Sequence, residues 1–386
     1  MSAPEAVVLA AGEGRRLRPL TAYQPKPMLP VANRPVIDYV IDALVETGVE
    51  RVVVVVGHRR QRIQTHLTGR YPDLDLTFVS QDTRLGSGHA LQQAAGHVDD
   101  PFLVVNGDNV IDADDVRAVR SRFDELDAEA TVAVTRSETP EEYGVVTLDR
   151  GLIADIDEHP VDREGYLVNA GVYVFRESVF PALERTERRN GELHLTDAIG
   201  ELPGPVTSVF VDGWLDPSTP WGLLTVTAAV LADRTEPRID SSARVHESAV
   251  VAPGAVVGPD CVVGPGVVLG RGTCLQENVH VGANSVVERT VVSTDARIGA
   301  GVVLRDSIVG VGAQLADAVV AASGSTDVAL DGRLYPDVTF GTVVADRARV
   351  GANATLLAGC QVGAEATVGP GVVLTHTVSD QVEVTC

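Results

Sequence analysis

Glycines, cations and carboxylates recur in this chain at spacings suited to polyphosphate chemistry. Leu9-Ala10-Ala11-Gly12-Glu13-Gly14-Arg15-Arg16-Leu17 runs out of an apolar segment into a glycine pair, and Lys26-Pro27 lies ten residues beyond Arg16. Two glycines let a backbone come close to a phosphate chain, and the amides along Leu9, Ala11, Gly12 and Gly14 can donate to its oxygens. Transfer at phosphorus is helped mainly by positioning and charge stabilisation, so a triphosphate needs fixed cations. Arg16 and Lys26 could supply two. Asn106-Gly107-Asp108 ends a second apolar run, at the carboxyl edge where open α/β sheets take ligands. Its carboxylate is a hard oxygen donor of the kind Mg²⁺ takes. Read without further context, an aspartate after a strand also serves as a turn residue.

The elements that must hold these residues follow from two hydrophobic periods. Ala6–Ala10 and Val52–Val56 are nearly continuous apolar runs, the pattern of strands buried on both faces. Between them Pro35 can open a helix at its first turn. Apolar Val36, Tyr39, Val40, Ala43 and Leu44 then repeat at helical spacing, and Gly48 ends it. Leu76–Val79, a helix from about Gly88 to His97, and Phe102–Asn106 continue the alternation, which predicts a Rossmann-like, mostly parallel sheet covered by helices. Strands such as Val168–Phe175 follow, and Pro220 to Ala232 reads as the closing helix. This α/β domain is expected over 1–233, with a linker over 234–238.

From residue 239 to 386 the period is six. Aliphatic residues fall at Ile239, Val245, Val251, Val257, Val263, Leu269, Leu275, Val281 and Val287, resume at Ile298 and Leu304, slip by one to Val309, and continue to Leu315. The series runs again through Val344, Val350, Leu356, Val362, Val368 and Leu374. Repeats this short stack into a parallel β-helix, each aliphatic side chain adding to an inner ladder. The pattern resembles the left-handed hexapeptide-repeat helices, which implies a homotrimer or higher homo-oligomer packed along the prism. Ala321–Asp337, with Gly324, Gly332 and Pro336, breaks the repeat and reads as a projecting loop.

The chain has 386 residues, 31 basic against 53 acidic, and a formal charge of −22. Such a surface repels nucleic acid and anionic membrane, so neither is expected as a partner. Against it, Arg15, Arg16, Arg18 and Lys26 form a local cationic spot, fit for an anionic ligand met at one place. No signal-peptide pattern opens the sequence and no apolar run reaches transmembrane length, so a cytoplasmic location is expected. Cys261, Cys274, Cys360 and Cys386 lack metal-ligand spacing and read as reduced thiols.

The stretch LAAGEGRRLRPLTAYQPKPMLP resembles the signature of the sugar-phosphate nucleotidyltransferases, G-x-G-T-R-L, then P-x-T, then P-K. Gly12, Gly14, Arg16, Leu17, Pro19, Thr21, Pro25 and Lys26 match, while Arg15 stands where threonine is usual. The resemblance implies that Arg16 grips the triphosphate and that Lys26 contacts phosphates at the reacting centre. Gln81 and Leu85-Gly86-Ser87-Gly88-His89-Ala90-Leu91 are similar to the family's base-reading segment, which implies nucleotide-binding roles for Gln81, Gly86 and Ser87. Tyr143-Gly144, Asp157-Glu158-His159-Pro160 and Asn169-Ala170-Gly171-Val172-Tyr173 resemble its sugar-site segments, implying sugar contacts for Gly144, Glu158 and Asn169. His159 replaces the usual lysine. Glu192 to Asp197 resembles a structural segment. Trp214-Leu215-Asp216 with Thr219-Pro220 resembles W-x-D-x-G-T-P, with Ser218 in place of the glycine. The resemblance implies Asp108 and Asp216 as the metal ligands and Mg²⁺ as cofactor. Asp216 also suits a helix cap before Pro220.

The expected activity joins an NTP (UTP or dTTP) to a sugar 1-phosphate (N-acetylglucosamine 1-phosphate or glucose 1-phosphate), giving an NDP-sugar and pyrophosphate. An oxygen of the sugar phosphate attacks the α-phosphorus in line, and no protein nucleophile is needed. Related two-domain enzymes also acetylate an amino-sugar phosphate in the repeat domain. That chemistry wants a histidine base, and no histidine lies between His280 and His376. Regulatory relatives without sugar transfer tend to lose the Arg and Lys that this chain keeps.

Overall fold

The computed structural model describes residues 5–57, 59–158 and 166–385. The chain forms two compact units. One comprises Met1–Glu13 and Val36–Leu215; the other comprises Gly14–Pro35 and Asp216–Cys386.

The first unit is built on a nine-stranded sheet. Its strands are β1 (Glu5–Ala10), β2 (Arg51–Val56), β3 (Asp75–Ser80), β4 (Phe102–Asn106), β5 (Ala130–Arg136), β6 (Val145–Asp149), β7 (Leu152–Asp157), β8 (Leu167–Phe175) and β9 (Val206–Phe210). Their order is β3-β2-β1-β4-β8-β5-β9-β7-β6. The first four are parallel, β8 runs against both β4 and β5, and β7 runs against β9 and β6. The valine runs explain the middle of the sheet. Val52–Val56, Ala6–Val8, Val104 and Val105 are all fully buried, as β-branched residues covered on both faces should be. Helix α1 (Val36–Glu46) buries Val36, Ile37, Val40, Ile41 and Leu44, and begins one residue after Pro35, which closes a two-residue strand instead of opening the helix. After α2 (Arg60–Arg70), α3 (Ser87–Gln92) stops five residues short of His97 because the chain tightens there into i→i−3 turns. Helix α4 (Ala113–Leu126) starts on a capping box between Asp112 and Asp115. Helices α5 (Val179–Arg185) and α6 (Leu195–Ile199) follow.

In the second unit α7 (Pro220–Val230) leads to three stacked sheets of seven, eight and seven short parallel strands, the three sides of a prism of six-residue repeats. Each strand of Val-Val type sends its second residue inward, so that Val257, Val263, Leu269, Leu275, Val281, Val287 and their successors form the expected ladder. Val292, absent from the sequence series, is also an inner rung. Two five-residue steps, Val287 to Val292 and Leu304 to Val309, therefore interrupt the period. Each carries a buried corner hydroxyl: Thr290 Oγ1 donates to Glu288 O (2.8 Å) and Ser307 Oγ to Arg305 O (2.6 Å). These bonds satisfy carbonyls at the shortened corners.

The break after Ala321 is a β-hairpin rather than a loop. Its strands are β10 (Gly324–Leu330) and β11 (Arg333–Phe340), turning at Asp331-Gly332, both with positive φ. Val328, Leu330, Tyr335 and Phe340 are buried, and Trp221 of α7 packs edge-on against Tyr335 and Phe340 at 5.1 and 6.1 Å between ring centroids. Cys261, Cys274 and Cys360 are buried and unbridged, with burial pushing the Cys274 thiol up to about 12. Cys386 lies outside the described residues.

Because the inner ladder is apolar and fully buried, Leu304→Ala should cost about 2–5 kcal/mol, the range for a large-to-small core change. Chemical denaturation monitored by far-UV circular dichroism measures it.

Candidate functional site

Within the second unit the glycine loop is a chain of tight turns. Gly14 takes a left-handed conformation (φ +64°) before the turn Arg15–Leu17. A Cβ there would stand 2.9 Å from Lys26 Cβ, and Thr21 Oγ1 donates to Gly14 O at 3.0 Å. The signature glycine, threonine and lysine therefore pack on one another, which gives the motif a mechanical reason as well as a chemical one. Arg16 is half-buried on that turn.

Lys26 is almost wholly buried. Its Nζ lies 3.2 Å from Asp216 Oδ1 and donates to Ser218 Oγ at 2.5 Å, and Ser218 Oγ also donates to Asp216. A desolvated ammonium survives only with such partners. Lys26 is also the only lysine in the chain, every other long cation being arginine. An ammonium is a compact point charge, whereas a guanidinium is a broad planar fork, so the two are not interchangeable in a crowded site. That count was a readable sequence signal that motif matching passes over. Thr219, not Asp216, caps α7, its side chain accepting from Gly222 N at 3.0 Å. The capping alternative for Asp216 is thereby replaced by ion pairing.

In the first unit, Leu9 and Ala11 lie at the carboxyl end of β1, where Gly107 N donates to Leu9 O at 2.9 Å. Gly12 is exposed, and nothing lies within 4 Å of where its Cβ would be. Asp108 follows β4 directly at the same edge and is half-buried. The segment around Gly86 is held by internal hydrogen bonds. Gln81 Nε2 donates to Gly86 O (2.9 Å) and lies 3.0 Å from His89 Nδ1. Burial first, and Arg188 second, hold His89 below the ordinary imidazole value, which favours a neutral ring able to accept at Nδ1. Ser87 Oγ accepts from Leu195 N at 3.0 Å, and Gly88 N donates to Leu193 O at 2.8 Å.

The three sugar-site candidates converge. Asn169 N donates to Gly144 O (2.9 Å), Asn169 Nδ2 to Tyr173 OH (2.6 Å), and Thr196 Oγ1 to Glu158 Oε1 (2.7 Å). Burial, with a smaller push from the Glu158 charge, raises the Tyr173 phenol above its ordinary range, so it is fixed as a neutral partner. The 192–197 segment is thus more than scaffold, since Thr196 orients Glu158. Trp214 stands edge-on to Tyr143 (5.2 Å), and its buried indole N–H has no hydrogen-bond partner among the described residues. His159 lies outside the described residues.

No group of three or more His, Cys, Asp or Glu able to hold a metal occurs among the described residues. Mg²⁺ asks less than that of a protein, commonly one or two carboxylates with substrate phosphates and water completing its shell. The carboxylate chemistry of Asp108 in the first unit, and of Asp216 in the second, is of the kind Mg²⁺ takes.

Residues 5–232 match the sequence model of the family described as nucleotidyl transferase. Residues 235–326 match that of the GMPPB C-terminal domain, and 341–376 that of the bacterial transferase hexapeptide (six repeats). The bifunctional protein GlmU of Methanocaldococcus jannaschii is 35% identical over 225 residues, 57% of this chain and 52% of that protein, so the chain spans about half the length of this relative. The UTP–glucose-1-phosphate uridylyltransferase AglF of Haloferax volcanii is 36% identical over 216 residues, 54% of this chain and 89% of the relative. A crystal structure of UDP-glucose pyrophosphorylase complexed with UDP-glucose superposes with a TM-score of 0.55 over 60% of this chain and all of that one, at 22% identity, a likeness of fold.

Gly86 has φ +93°, and a Cβ would come within 2.3 Å of Leu193 O, a backbone atom with no room to yield. Gly86→Ala should therefore destabilise the first unit by about 2 kcal/mol or more, the sum of left-handed strain and a displaced backbone bond. Thermal melts of the variant against the parent check this.

Proposed function

The chain belongs to the nucleotidyl transferase family, and on that footing we propose that it joins a nucleoside triphosphate to a sugar 1-phosphate, releasing pyrophosphate and an NDP-sugar. The observation that carries the reading is the buried Lys26–Asp216 pair: two residues singled out by separate motifs, 190 positions apart, lie 3.2 Å from each other. UTP with glucose 1-phosphate is the preferred pair, supported by the likeness to AglF, and UTP or dTTP with N-acetylglucosamine 1-phosphate is the next to test.

In this reading the loop amides from Leu9 to Gly14 and the Arg16 guanidinium hold the triphosphate. Lys26 presents a positive charge to the phosphates, and its bond to Ser218 fixes where that charge sits. Gly12, which no packing contact requires to be glycine, leaves the backbone open to a phosphate chain. Gln81 orients the Gly86 segment for the base. Glu158, aligned by Thr196, and Asn169, aligned by Tyr173, receive the sugar hydroxyls, and the Trp214 N–H is a further donor on that side. The sugar phosphate oxygen is already ionised, so no general base is needed for its in-line attack on the α-phosphorus. Members of this family generally use a divalent metal; here Mg²⁺ on Asp108 and Asp216 would supply charge neutralisation for the two anions.

The absence of lysine from the repeats, and of histidine between His280 and His376, speaks against acetyl transfer there. The third side of the prism instead supports oligomerisation between copies of this chain. Its outward residues Val250, Val268, Val320 and Val373 are exposed, with Val286 and Val303 half-exposed between them. The second side carries outward Arg244, His280, Arg297 and Arg349. A valine ladder, interrupted only at Thr355, is the patch a partner covers. No helix among the described residues is long and apolar enough to cross a membrane, and a cytoplasmic site of action is part of the same reading.

Pyrophosphate release measured over a panel of UTP and dTTP with sugar 1-phosphates tests the activity. Asp108→Asn and Lys26→Arg should each lower turnover about 10²-fold or more, the usual loss of one charge-stabilising group, and near-parental turnover in both would remove them from the mechanism. For assembly, Val268→Glu with Val373→Glu should reduce the mass seen by light scattering to that of one chain; an unchanged mass would rule the valine side out as the interface.

A further inference from the structure

The second unit joins two stretches that motif reading assigns to different domains, the Lys26 segment and the prism. Beyond the exposed Arg238, the outward residues on the first side of the prism, Val256, Cys274, Val291, Ile308, Val343 and Gln361, are buried, unlike those of the other two sides. Along that side and its corner with the second, the Lys26 segment is tied down at two points. Near its start, Tyr23 OH donates to Glu365 Oε1 at 3.1 Å, the Arg347 guanidinium lies 4.4 Å from the centroid of the Tyr23 ring, and Arg347 Nη2 pairs with Glu365 Oε1 at 2.8 Å. Arg347 and Glu365 occupy equivalent left-handed corners one coil apart (φ +58° and +60°) and so present cation and carboxylate together. At the other end Asn33, at the tip of the short hairpin Pro30–Val31/Arg34–Pro35, donates its side-chain amide to Leu275 O at 2.5 Å. Leu275 is separated from these corners by about three to four rungs of the stack, roughly 14–19 Å at the spacing of paired strands. Lys26 sits between the two ties, flanked by Pro25 and Pro27, whose fixed φ leaves the span little freedom to shift.

We propose that this side of the β-helix is the bed of the phosphate-contacting loop, and that Tyr23, Arg347 and Glu365 are positioning residues which set where the Lys26 ammonium stands. The role given to Lys26 rests on the nucleotidyl-transfer reading; the clamp itself does not. The repeat domain is then part of the reaction machinery through a mechanical contact, distinct from any part it plays in assembly. It holds a loop that carries a desolvated charge, and small displacements of such a charge are costly to catalysis.

Because Lys26 is the only lysine, an amine-acylating reagent reports on it alone once the N-terminal peptide is separated. The full-length protein and three variants, Arg347→Ala with Glu365→Ala, Tyr23→Phe, and Arg349→Ala as an outward residue of the second side, are treated with sulfosuccinimidyl acetate, and the rate at the Lys26 peptide is read by mass spectrometry. Pyrophosphate-release kinetics and circular-dichroism melts run alongside. The double variant should acylate Lys26 about tenfold faster, the factor set by one cation–π contact and one exposed hydrogen bond. It should lose a similar factor in kcat/KM for the nucleotide. Tyr23→Phe, which keeps the ring under Arg347, should fall between it and the parent, and Arg349→Ala should match the parent. Acylation and kinetics equal to the parent in a natively melting double variant would overturn the clamp. If the double variant fails to fold, a Tyr23→Phe rate indistinguishable from the parent overturns it instead. A parent protein with no pyrophosphate release on any substrate would sink the functional reading, while the acylation rates still judge the clamp.

Discussion

A desolvated positive charge organises the region around residue 26. Taking an ammonium out of water costs several kcal/mol unless it is paired, so Lys26 is tolerable only because Asp216 and Ser218 meet it. The same requirement constrains the loop that carries it. Gly14 must lack a side chain for Lys26 to lie against it, and Thr21 must reach back to Gly14 O to keep the turn closed. A chain that otherwise uses arginine for every long cation carries a lysine at this one place. The compact, three-donor head sits between a carboxylate and a hydroxyl, a geometry that a planar fork does not reproduce.

The prism shows how one repeated pattern can give three different surfaces. The inner residues are set by the period and vary little. The outer residues alternate among sides and are not set by it, so one side is buried and tied to the Gly14–Pro35 segment, one carries arginines and a histidine, and one carries mostly valines. The hairpin β10–β11 extends the first role, since its Tyr335 and Phe340 brace Trp221 in the helix that Asp216 and Ser218 precede. Five-residue steps at Thr290 and Ser307 show that the ladder tolerates a lost residue when a hydroxyl satisfies the corner.

In the first unit the sheet does the corresponding work. Parallel strands β1 and β4 end together, which brings the Leu9–Gly12 stretch and Asp108 to one edge. The reversed strand β8, with its irregularity between Asn169 and Tyr173, turns Asn169 toward Gly144. Residues to which the motifs give no ligand-contacting role hold those to which they do: Thr196 for Glu158, Tyr173 for Asn169, His89 for Gln81.

The sequence by itself determined the alternation of continuous apolar runs with helical spacing and the period-six pattern, hence the sheet and the β-helix, because buried aliphatic spacing is a local property. It also singled out the candidate site residues, since the glycines, Arg16, Lys26, Gln81, Asp108, Glu158, Asn169 and Asp216 stand in recognisable strings. Which of them meet was left to the tertiary structure. The Lys26–Asp216 contact spans 190 positions, the Tyr23 clamp 342, and the Asn33 tie 242. Such pairings follow from how coils stack and where a corner residue points, and no local spacing encodes them. The excursion after Ala321 is a hairpin for the same reason: Val328, Leu330, Tyr335 and Phe340 are half-hidden in an alternating string until tertiary packing buries them, and only then does an interruption in the repeat become a strut.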